Sequence, residues 1–322
     1  MSQINFMAED DRLKKLSEIG DPIEKLDKYI DWNIFAPTIN GVFNADYSKG
    51  GRPPFVRPMM FKLLVLQRIY NIADDQAEFQ INDRLSFQRF LGLTMSDKVP
   101  DAKTIWLFRE TLIKAGVIEF LFQLFYQELE IRGIIAHEGS INDASFVETP
   151  KRRKGKGENI HSNRQIDEDA KWTKKGNVSY FGYKNHIKVD SKSKIITDYD
   201  VTPASTHDSQ VFAEFYTEYE NDTVYGDSAY AGQELPENIK QEICERAYRN
   251  TPLTEEQKSE NTRKSRVRAR VEHIFGFIEG HMHGSTFRGK GMERVAFNVG
   301  LTNLVYNVER FAFFRRKGLC AG

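Results

Sequence analysis

The sequence predicts an α/β protein in two parts: an all-helical region over residues 1–132 and a mixed sheet flanked by helices over residues 133–322. Up to residue 132, apolar side chains recur at the three-to-four-residue spacing of amphipathic helices. After Gly133, short alternating runs rich in Ile, Val, Tyr and Phe are typical of strands. Helical segments alternate with the later strands, and this alternation favours a mixed α/β domain.

Helix signals divide the first part. Gly50 and Gly51, followed by Arg52-Pro53-Pro54, predict an extended or turned link, because proline disfavours a helical conformation in the residue before it. Pro100 and Asp101 form a helix stop followed by a helix start. The predicted helical segments are residues 11–19, 21–30, 59–70, a helix beginning at 74, 81–93 and 101–132.

The second part is predicted from alternation and from the turn residues between the runs. The predicted strands are residues 134–146, 179–189, 194–202 and 223–226, with a fifth candidate at 243–248. The predicted helices are residues 207–218, 233–241 and 255–282. The sequence contains no glycine-rich phosphate loop, which disfavours an ATP-driven enzyme.

Composition and charge limit the class of protein. The chain has 322 residues, of which 40% are hydrophobic and 12% aromatic, a globular composition. Its 46 basic side chains balance 46 acidic ones, so any preference for nucleic acid must come from local clusters. Two cysteines, Cys244 and Cys320, exclude a multi-disulfide framework. Neither a signal-peptide pattern nor a membrane-spanning apolar run occurs, so we expect a soluble cytoplasmic protein without a membrane partner.

Three carboxylates occupy positions that suggest a ligand site. Asp143 lies inside the first strand, Asp227 follows the fourth strand beside Gly226, and Glu272 borders the apolar stripe of the last predicted helix. Ligands of α/β sheets bind beyond the C-terminal ends of the strands. Each acidic residue taken alone is more often solvated or a helix cap. Together, the three can converge on a pair of hard cations such as Mg²⁺.

Arg268 precedes Glu272 by four residues and lies on the same face of the predicted helix. One interpretation is a plain ion pair between helix neighbours, which stabilises a helix only slightly. The functional alternative is that the planar guanidinium orients the carboxylate or contacts a phosphate.

Two clusters of basic residues stand out from the neutral chain. Residues 151–175 contain nine basic and four acidic side chains, and residues 258–270 contain six basic and one acidic, so each cluster has a net charge of +5. Lysine and arginine side chains that displace the counterions of DNA give affinity independent of sequence. A solvated loop is the structural alternative for the first cluster. Two basic clusters around an acidic triad are better explained by DNA.

Ordered blocks that run along nearly the whole chain carry a family resemblance. In the first part they are Gly51-Arg-Pro-Pro-Phe, Met59-Met-Phe-Lys-Leu-Leu-Val-Leu-Gln-Arg and Val99-Pro-Asp-Ala-Lys-Thr-Ile-Trp-Leu-Phe-Arg-Glu. In the second part they are Asp143-Ala-Ser-Phe-Val-Glu, Gly182-Tyr-Lys-Asn-His, Thr202-Pro-Ala-Ser-Thr-His-Asp-Ser-Gln, Tyr225-Gly-Asp-Ser-Ala-Tyr and Arg268-Ala-Arg-Val-Glu-His. The chain therefore resembles bacterial insertion-sequence transposases of the family-five group.

The resemblance implies an RNase H-like catalytic fold with a DDE triad, carried here onto Asp143, Asp227 and Glu272, and with Arg268 as a further catalytic residue. Two Mg²⁺ ions would bind the triad, and Mn²⁺ is expected to substitute for them. Residues 1–132 would be a DNA-binding and dimerisation domain, and residues 133–322 the catalytic domain with its C-terminal helices. The related Tyr-x2-Arg-x3-Glu-x6-Lys signature is incomplete, because Ser265 and Glu279 stand at its tyrosine and lysine positions.

The implied activity is DNA transposition. The protein would bind terminal inverted repeats as a homodimer on double-stranded DNA, cleave the element ends, and transfer the 3′-hydroxyl to target DNA by two-metal phosphoryl transfer. The candidate DNA-binding residues are Lys151, Arg152, Arg153, Lys154, Lys184, Arg266, Arg270 and Arg288. Four arginines of the first part are further candidates, with solvated surface or internal ion pairs as alternatives: Arg52, Arg57, Arg84 and Arg89. The implied location is the prokaryotic cytoplasm, in association with the nucleoid.

Two other functions remain open. An RNase H-like nuclease would cut DNA without strand transfer. An inactive regulator derived from a transposase would bind DNA only, although three intact carboxylates argue against it. A tyrosine recombinase fits less well, because no basic set accompanies a candidate nucleophilic tyrosine.

Overall fold

A computed structural model describes residues 8–43, 53–150, 167–217, 222–248 and 251–319. The chain divides into two compact units, residues 1–125 with 308–322 and residues 126–307. We call them the helical unit and the sheet unit. Residues 308–322, at the end of the chain, belong to the helical unit.

Two helices of the helical unit begin at the residues that the sequence indicates, whereas the predicted segment 81–93 is divided at Arg84 between two helices. Asp21 caps the second helix by accepting a hydrogen bond from the Ile23 amide (3.1 Å), and Asp101 caps another through the Thr104 amide (2.7 Å). The helices are α1 (Ala8–Ile19), α2 (Pro22–Tyr29), α3 (Ala36–Val42), α4 (Arg57–Tyr70), α5 (Asp74–Asp83), α6 (Leu85–Leu91), α7 (Ala102–Lys114) and α8 (Ile118–Ile131). The predicted segment 101–132 is therefore two helices, α7 and α8, separated at Gly116, whose φ of 63° ends α7.

The core of the helical unit is aromatic. The buried Phe35 ring lies 5.0 Å from Phe61 and 6.3 Å from Phe125, measured between ring centroids. Phe125 in turn contacts Phe311 of the C-terminal helix at 6.3 Å. Burying such rings is a main source of folding free energy, so the end of the C-terminal helix belongs to this core.

The sheet unit contains six strands and the remaining helices among its described residues. The strands are β1 (Ser140–Glu148), β2 (Lys171–Lys175), β3 (Val178–Asp190), β4 (Ile196–Pro203), β5 (Asp222–Gly226) and β6 (Ile239–Ile243). The helices are α9 (Asp208–Phe212), α10 (Glu255–Arg268), α11 (Arg270–Met282) and α12 (Met292–Lys317). The order in the sheet is β2-β3-β1-β5-β6, with β4 also paired to β3.

Three predicted elements of the sheet unit differ from the structure. The predicted helix 233–241 is wrong, because residues 239–243 form β6, which pairs in parallel with β5. The strand predicted at residues 243–248 is also wrong, because β6 already ends at Ile243. The predicted helix 255–282 is broken at Ala269 into α10 and α11. Strand β2 was not predicted, since its lysine-rich sequence lacks alternation.

Helices cover both faces of the sheet. On one face, Phe212, Val224 and Tyr230 belong to one buried cluster. On the other face, Val147 and Tyr183 pack with Val295 of α12. A mixed sheet with antiparallel β2, β3, β4 and β1 followed by parallel β5 and β6 confirms the predicted RNase H-like α/β class. None of the helices in the described ranges is both long and apolar enough to cross a membrane.

Candidate active site

Asp143 lies within β1, and Asp227 directly follows the neighbouring strand β5. Strands β1 and β5 are parallel, with Ser140 opposite Val224 and Ile141 opposite Tyr225. Continued by two residues, this register sets Asp143 opposite Asp227, and the two lie close enough for the charge of Asp227 to raise the pKa of Asp143. Side chains at matching positions of paired strands point to the same face of the sheet. The two carboxylates therefore form a pair at the C-terminal end of β5.

Asp227 is held by the turn that follows β5. Its Oδ1 accepts a hydrogen bond from the Ala229 amide (2.7 Å), which caps the short 3₁₀ turn Ser228–Tyr230. The preceding Gly226 has no room for a side chain, because a Cβ there would lie 2.9 Å from both the Tyr230 ring and the Ile243 side chain. Glycine thus permits the close packing of Tyr230 against the end of β5.

The environment of Asp143 opposes its negative charge. Burial raises the pKa of the Asp143 carboxyl, and repulsion by Asp227 raises it further. The Ala144 amide, which donates to Asp143 Oδ1 at 2.9 Å, and the cations of Arg268 and Lys175 lower the pKa but do not reverse the shift. A cation bound between the two carboxylates would relieve this repulsion.

Arg268 supplies one such positive charge. Its Nη1 lies 3.3 Å from Asp143 Oδ2, and both side chains are partly exposed, at 27% and 24%. Arg268 is the last residue of α10. The helix breaks at Ala269, whose carbonyl accepts a hydrogen bond from the Glu272 amide at 3.2 Å, a three-residue spacing tighter than an α-helical turn.

Glu272 lies apart from this group. It is exposed in the first turn of α11, while its neighbours Val271 and Ile274 are buried. An acidic residue at this position is also favoured by the helix dipole. Among the described residues, no set of three or more His, Cys, Asp or Glu side chains is arranged to hold a metal ion. The structure brings together Asp143, Asp227 and Arg268.

Of the predicted DNA-binding residues, Lys184 is the most buried. Its ammonium donates to Asp208 Oδ1 (2.7 Å) and to the Thr206 carbonyl oxygen (2.6 Å). Arg266, Arg270 and Arg288 are exposed, and Arg270 donates to the Ser191 carbonyl oxygen at 2.8 Å. The remaining four lie outside the described residues: Lys151, Arg152, Arg153 and Lys154.

The arginines of the helical unit contact their own unit. Arg89 lies 2.6 Å from Asp21 and 3.3 Å from Glu24. Arg57 donates to the Phe43 carbonyl oxygen (2.7 Å), and the guanidinium of Arg84 lies 4.9 Å from the centre of the Phe87 ring. Arg52 lies outside the described residues. For Arg89, the structure therefore supports the alternative of ion pairs within its own domain.

Two residues near the carboxylates were missed by sequence reasoning. Tyr230 is buried, and burial together with the charges of Asp143, Asp208 and Asp227 raises the pKa of its hydroxyl. Lys175 of β2 lies near enough to lower the pKa of Asp143. The Tyr225-Gly-Asp-Ser-Ala-Tyr block contains a signal for Tyr230, but nothing in the lysine-rich sequence of β2 indicates proximity to Asp143.

The donor chemistry of the pair fits a hard divalent cation. Carboxylate oxygens are the ligands that Mg²⁺ prefers, usually with one or two carboxylates and several waters. Asp143 and Asp227 supply two such groups at one sheet edge, and their mutual repulsion favours an added positive charge. The two residues therefore suit a metal ion that is also bound by a phosphate group.

Comparison with protein families gives two matches. The model described as a transposase DDE domain matches residues 135–308, which is more than half of the chain. The model described as a transposase domain (DUF772) matches residues 11–111, within the helical unit. No solved structure matches the chain.

Proposed function

The chain belongs to the DDE transposase family, and from this premise we propose that it binds the terminal inverted repeats of its own element, cleaves the element ends and joins the freed 3′-hydroxyl to target DNA. Asp143, Asp227 and Glu272 are the proposed catalytic triad. The single observation that carries the proposal is the carboxylate pair, because an acidic residue in β1 and another just after β5 that repel each other are costly without a cation.

Asp143 and Asp227 would hold the metal, with Glu272 as the third proposed ligand. When bound, Mg²⁺, or Mn²⁺ in its place, supplies Lewis-acid stabilisation of the charge that develops on the phosphate oxygens. Arg268 now neutralises Asp143, and its guanidinium has the planar geometry that binds phosphate oxygens. We propose that Arg268 contacts the phosphate at the cleaved bond. Tyr230, which is buried and within the electrostatic reach of Asp143 and Asp227, is proposed to limit access of water to the site.

The DNA partner has two proposed roles, as the element end and as the target. The helical unit is proposed to contribute sequence recognition or contacts between two copies of the chain in a homodimer on DNA. Its match to a transposase domain and its many exposed side chains support this role. Arg266 and Arg288, exposed in the sheet unit, are proposed phosphate contacts, as are Arg270 and Lys184 after release of their present partners.

Incubation of the protein with Mg²⁺ and labelled DNA carrying the element ends tests the proposal. We expect cleavage at the ends and, with an added target duplex, products that join the 3′-end to the target. Cleavage without joined products would identify a nuclease. Binding without cleavage would identify a DNA-binding regulator.

A further inference from the structure

Strands β2 and β3 extend beyond the rest of the sheet as a two-stranded ribbon, residues 171–181. Pairing of β3 with β1 begins at Gly182 and pairing with β4 begins at Tyr183, so residues 178–181 pair in the ladder with β2. The base of the ribbon is tightly fixed. Gly182 has a φ of 149°, and a Cβ there would lie 2.2 Å from the Val147 carbonyl oxygen.

The ribbon is exposed and positively charged. Trp172 and Val178 are 56% and 54% exposed, and Lys171, Lys174 and Lys175 are exposed beside them. The ribbon contains three lysines and no acidic residue. Among the described residues, Lys174 and Lys175 form no salt bridge, while Lys171 donates to the Glu168 carbonyl oxygen (2.8 Å). This surface is therefore suited to an anionic partner that also accepts an aromatic contact.

The ribbon also lies near the catalytic carboxylates. The positive charge of Lys175 lowers the pKa of Asp143. The Nζ of Lys175 lies 6.0 Å from the centre of the Phe146 ring. The Phe146 ring stacks on that of Tyr180, with 4.2 Å between the ring centroids. A polyanion placed at Asp143 would thus meet Lys175. Single exposed aromatics are common on protein surfaces, so the inference depends on the combination of shape, charge and position.

From these observations we propose that the ribbon is a DNA-contacting element that enters the major groove of the duplex beside the cleaved bond, with Lys174 and Lys175 on phosphates and Trp172 against base edges. The major groove is about 12 Å wide and admits a two-stranded β-ribbon. The proposal rests on the proposed function for the identity of the polyanion. It commits to duplex DNA, because a ribbon that contains three lysines and no acidic residue complements phosphate charge.

Binding to a duplex of random sequence, without metal, at several salt concentrations tests the ribbon directly. For Lys174→Gln with Lys175→Gln, we expect weaker binding and a log–log salt slope lower in magnitude by about 1.8, since each phosphate contact contributes about 0.9. The charge-matched control is Lys192→Gln with Lys240→Gln, whose lysines pair with Glu138 and Glu242. The control should keep the slope of the wild-type chain.

Trp172→Ala tests the aromatic contact, with Tyr248→Ala as a control at a side chain that is 70% exposed. We expect Trp172→Ala to weaken binding on the order of tenfold without changing the salt slope, and Trp172→Phe to restore most of the affinity. Circular dichroism should match that of the wild-type chain. Thermal unfolding is measured alongside, because the Trp172 ring lies 5.1 Å from the Phe181 ring.

The outcomes separate this inference from the proposed function. Unchanged affinity and slope in the ribbon variants would overturn the inference even if the wild-type chain cleaves element ends. Weakened binding by the ribbon variants would support it even if the wild-type chain never cleaves. If Trp172→Ala altered the mass in solution but left DNA affinity unchanged, the ribbon would be a contact between copies, and the inference would be wrong.

Discussion

The carboxylate of Asp143 differs from that of an ordinary surface aspartate. Burial and the charge of Asp227 raise its pKa, while Arg268 and Lys175 partly compensate. A group in this situation gains from any further cation, and carboxylate oxygens suit hard cations such as Mg²⁺. The environment of this one residue therefore links the packing of the sheet to the proposed chemistry.

We predict that Ala substitution of Asp143, Asp227 or Glu272 abolishes cleavage, by on the order of 10³-fold or more, because several kcal/mol of metal-dependent stabilisation is removed. DNA binding should remain, since these side chains are proposed metal ligands rather than phosphate contacts. Cleavage and binding are measured on the same labelled element ends. Glu279→Ala, an exposed acidic residue of α11, is the matched control. Near-normal cleavage by any one variant would remove that residue from the triad.

A second prediction concerns pH. His186 is 2% exposed, and its Nε2 lies 2.8 Å from Thr202 Oγ1. Burial lowers the pKa of His186 to about 4, Asp208 opposes the shift and Lys184 adds to it. The unfolded chain binds this proton near pH 6.5. The contribution of neutral His186 to the free energy of unfolding is therefore complete above about pH 6.5. This contribution is lost as pH falls towards about 4, by at most about 1.4 kcal/mol per pH unit.

His186→Gln should remove this part of the pH dependence. Urea unfolding of both proteins at pH values from 7.5 to 4.5 measures the difference in their free energies of unfolding. We expect that difference to shrink as the pH falls. Parallel curves would show that His186 does not titrate differently in the folded and unfolded states.

At the scale of elements, the two features that shape the site are a helix break and a strand extension. The break at Ala269 leaves Arg268 beside Asp143 and Glu272 exposed in the next turn. The extension of β2 and β3 brings Lys175 near the same carboxylate. Both features depend on local backbone geometry. Substitution of Gly182, at the base of the ribbon, tests this dependence directly.

Gly182→Ala should destabilise the sheet unit by about 1–3 kcal/mol, because the new Cβ would clash with the Val147 carbonyl oxygen and the backbone has a positive φ. Gly276→Ala is the control, since α11 has open space at that position. The control should be neutral or stabilising, by up to about 1 kcal/mol. Chemical denaturation measures both. Equal stability of the two variants would contradict the packing described for Gly182.

The basic segment that follows β1 gives a fourth prediction. Neutralising Lys151, Arg152, Arg153 and Lys154 should weaken binding across all DNA sequences and flatten the salt dependence, by about 0.9 in slope for each phosphate that the segment binds. The segment begins eight residues after Asp143. Binding at several salt concentrations separates a DNA arm from a solvated loop, for which the slopes of variant and wild-type chain would be identical.

At the scale of the whole molecule, the chain consists of two compact units, and α8 and α12 each contain residues of both. Residues of α12 up to Asn307 belong to the sheet unit, where Asn303 and Asn185 exchange hydrogen bonds of 2.9 and 3.1 Å. The residues from Val308 onward belong to the helical unit, where Phe311 is buried against Phe125. A fragment that keeps the end of α12 without its partner helices would expose this apolar surface.

A fragment of residues 126–307 should therefore be the better test of the role of the helical unit. We predict that it loses the preference of the whole chain for element ends over random DNA, because sequence recognition is proposed to lie in the helical unit. Competition binding measures the ratio, which should fall towards one, and circular dichroism confirms that the fragment is folded. A fragment as selective as the whole chain would contradict the assignment.

The sequence by itself determined the class of fold, the helical first part and the family. Helix caps at Asp21 and Asp101, alternation in β1 and β3, and the ordered blocks are local signals that need no knowledge of distant contacts. It also singled out Asp143 and Asp227, because a carboxylate in or just after a strand is unusual.

Tertiary structure alone decided the rest. Strand β6 forms in a segment predicted to be helical, because pairing with β5 outweighs local preference. The side-by-side placement of Asp143 and Asp227 depends on the register of two strands that are more than 70 residues apart in sequence. The exposure of Glu272, the burial of Lys184 against Asp208 and the approach of Lys175 to Asp143 depend equally on long-range packing. Such contacts produce no periodic pattern in the sequence, because the residues next to each partner along the chain do not determine how close the two partners lie in the fold.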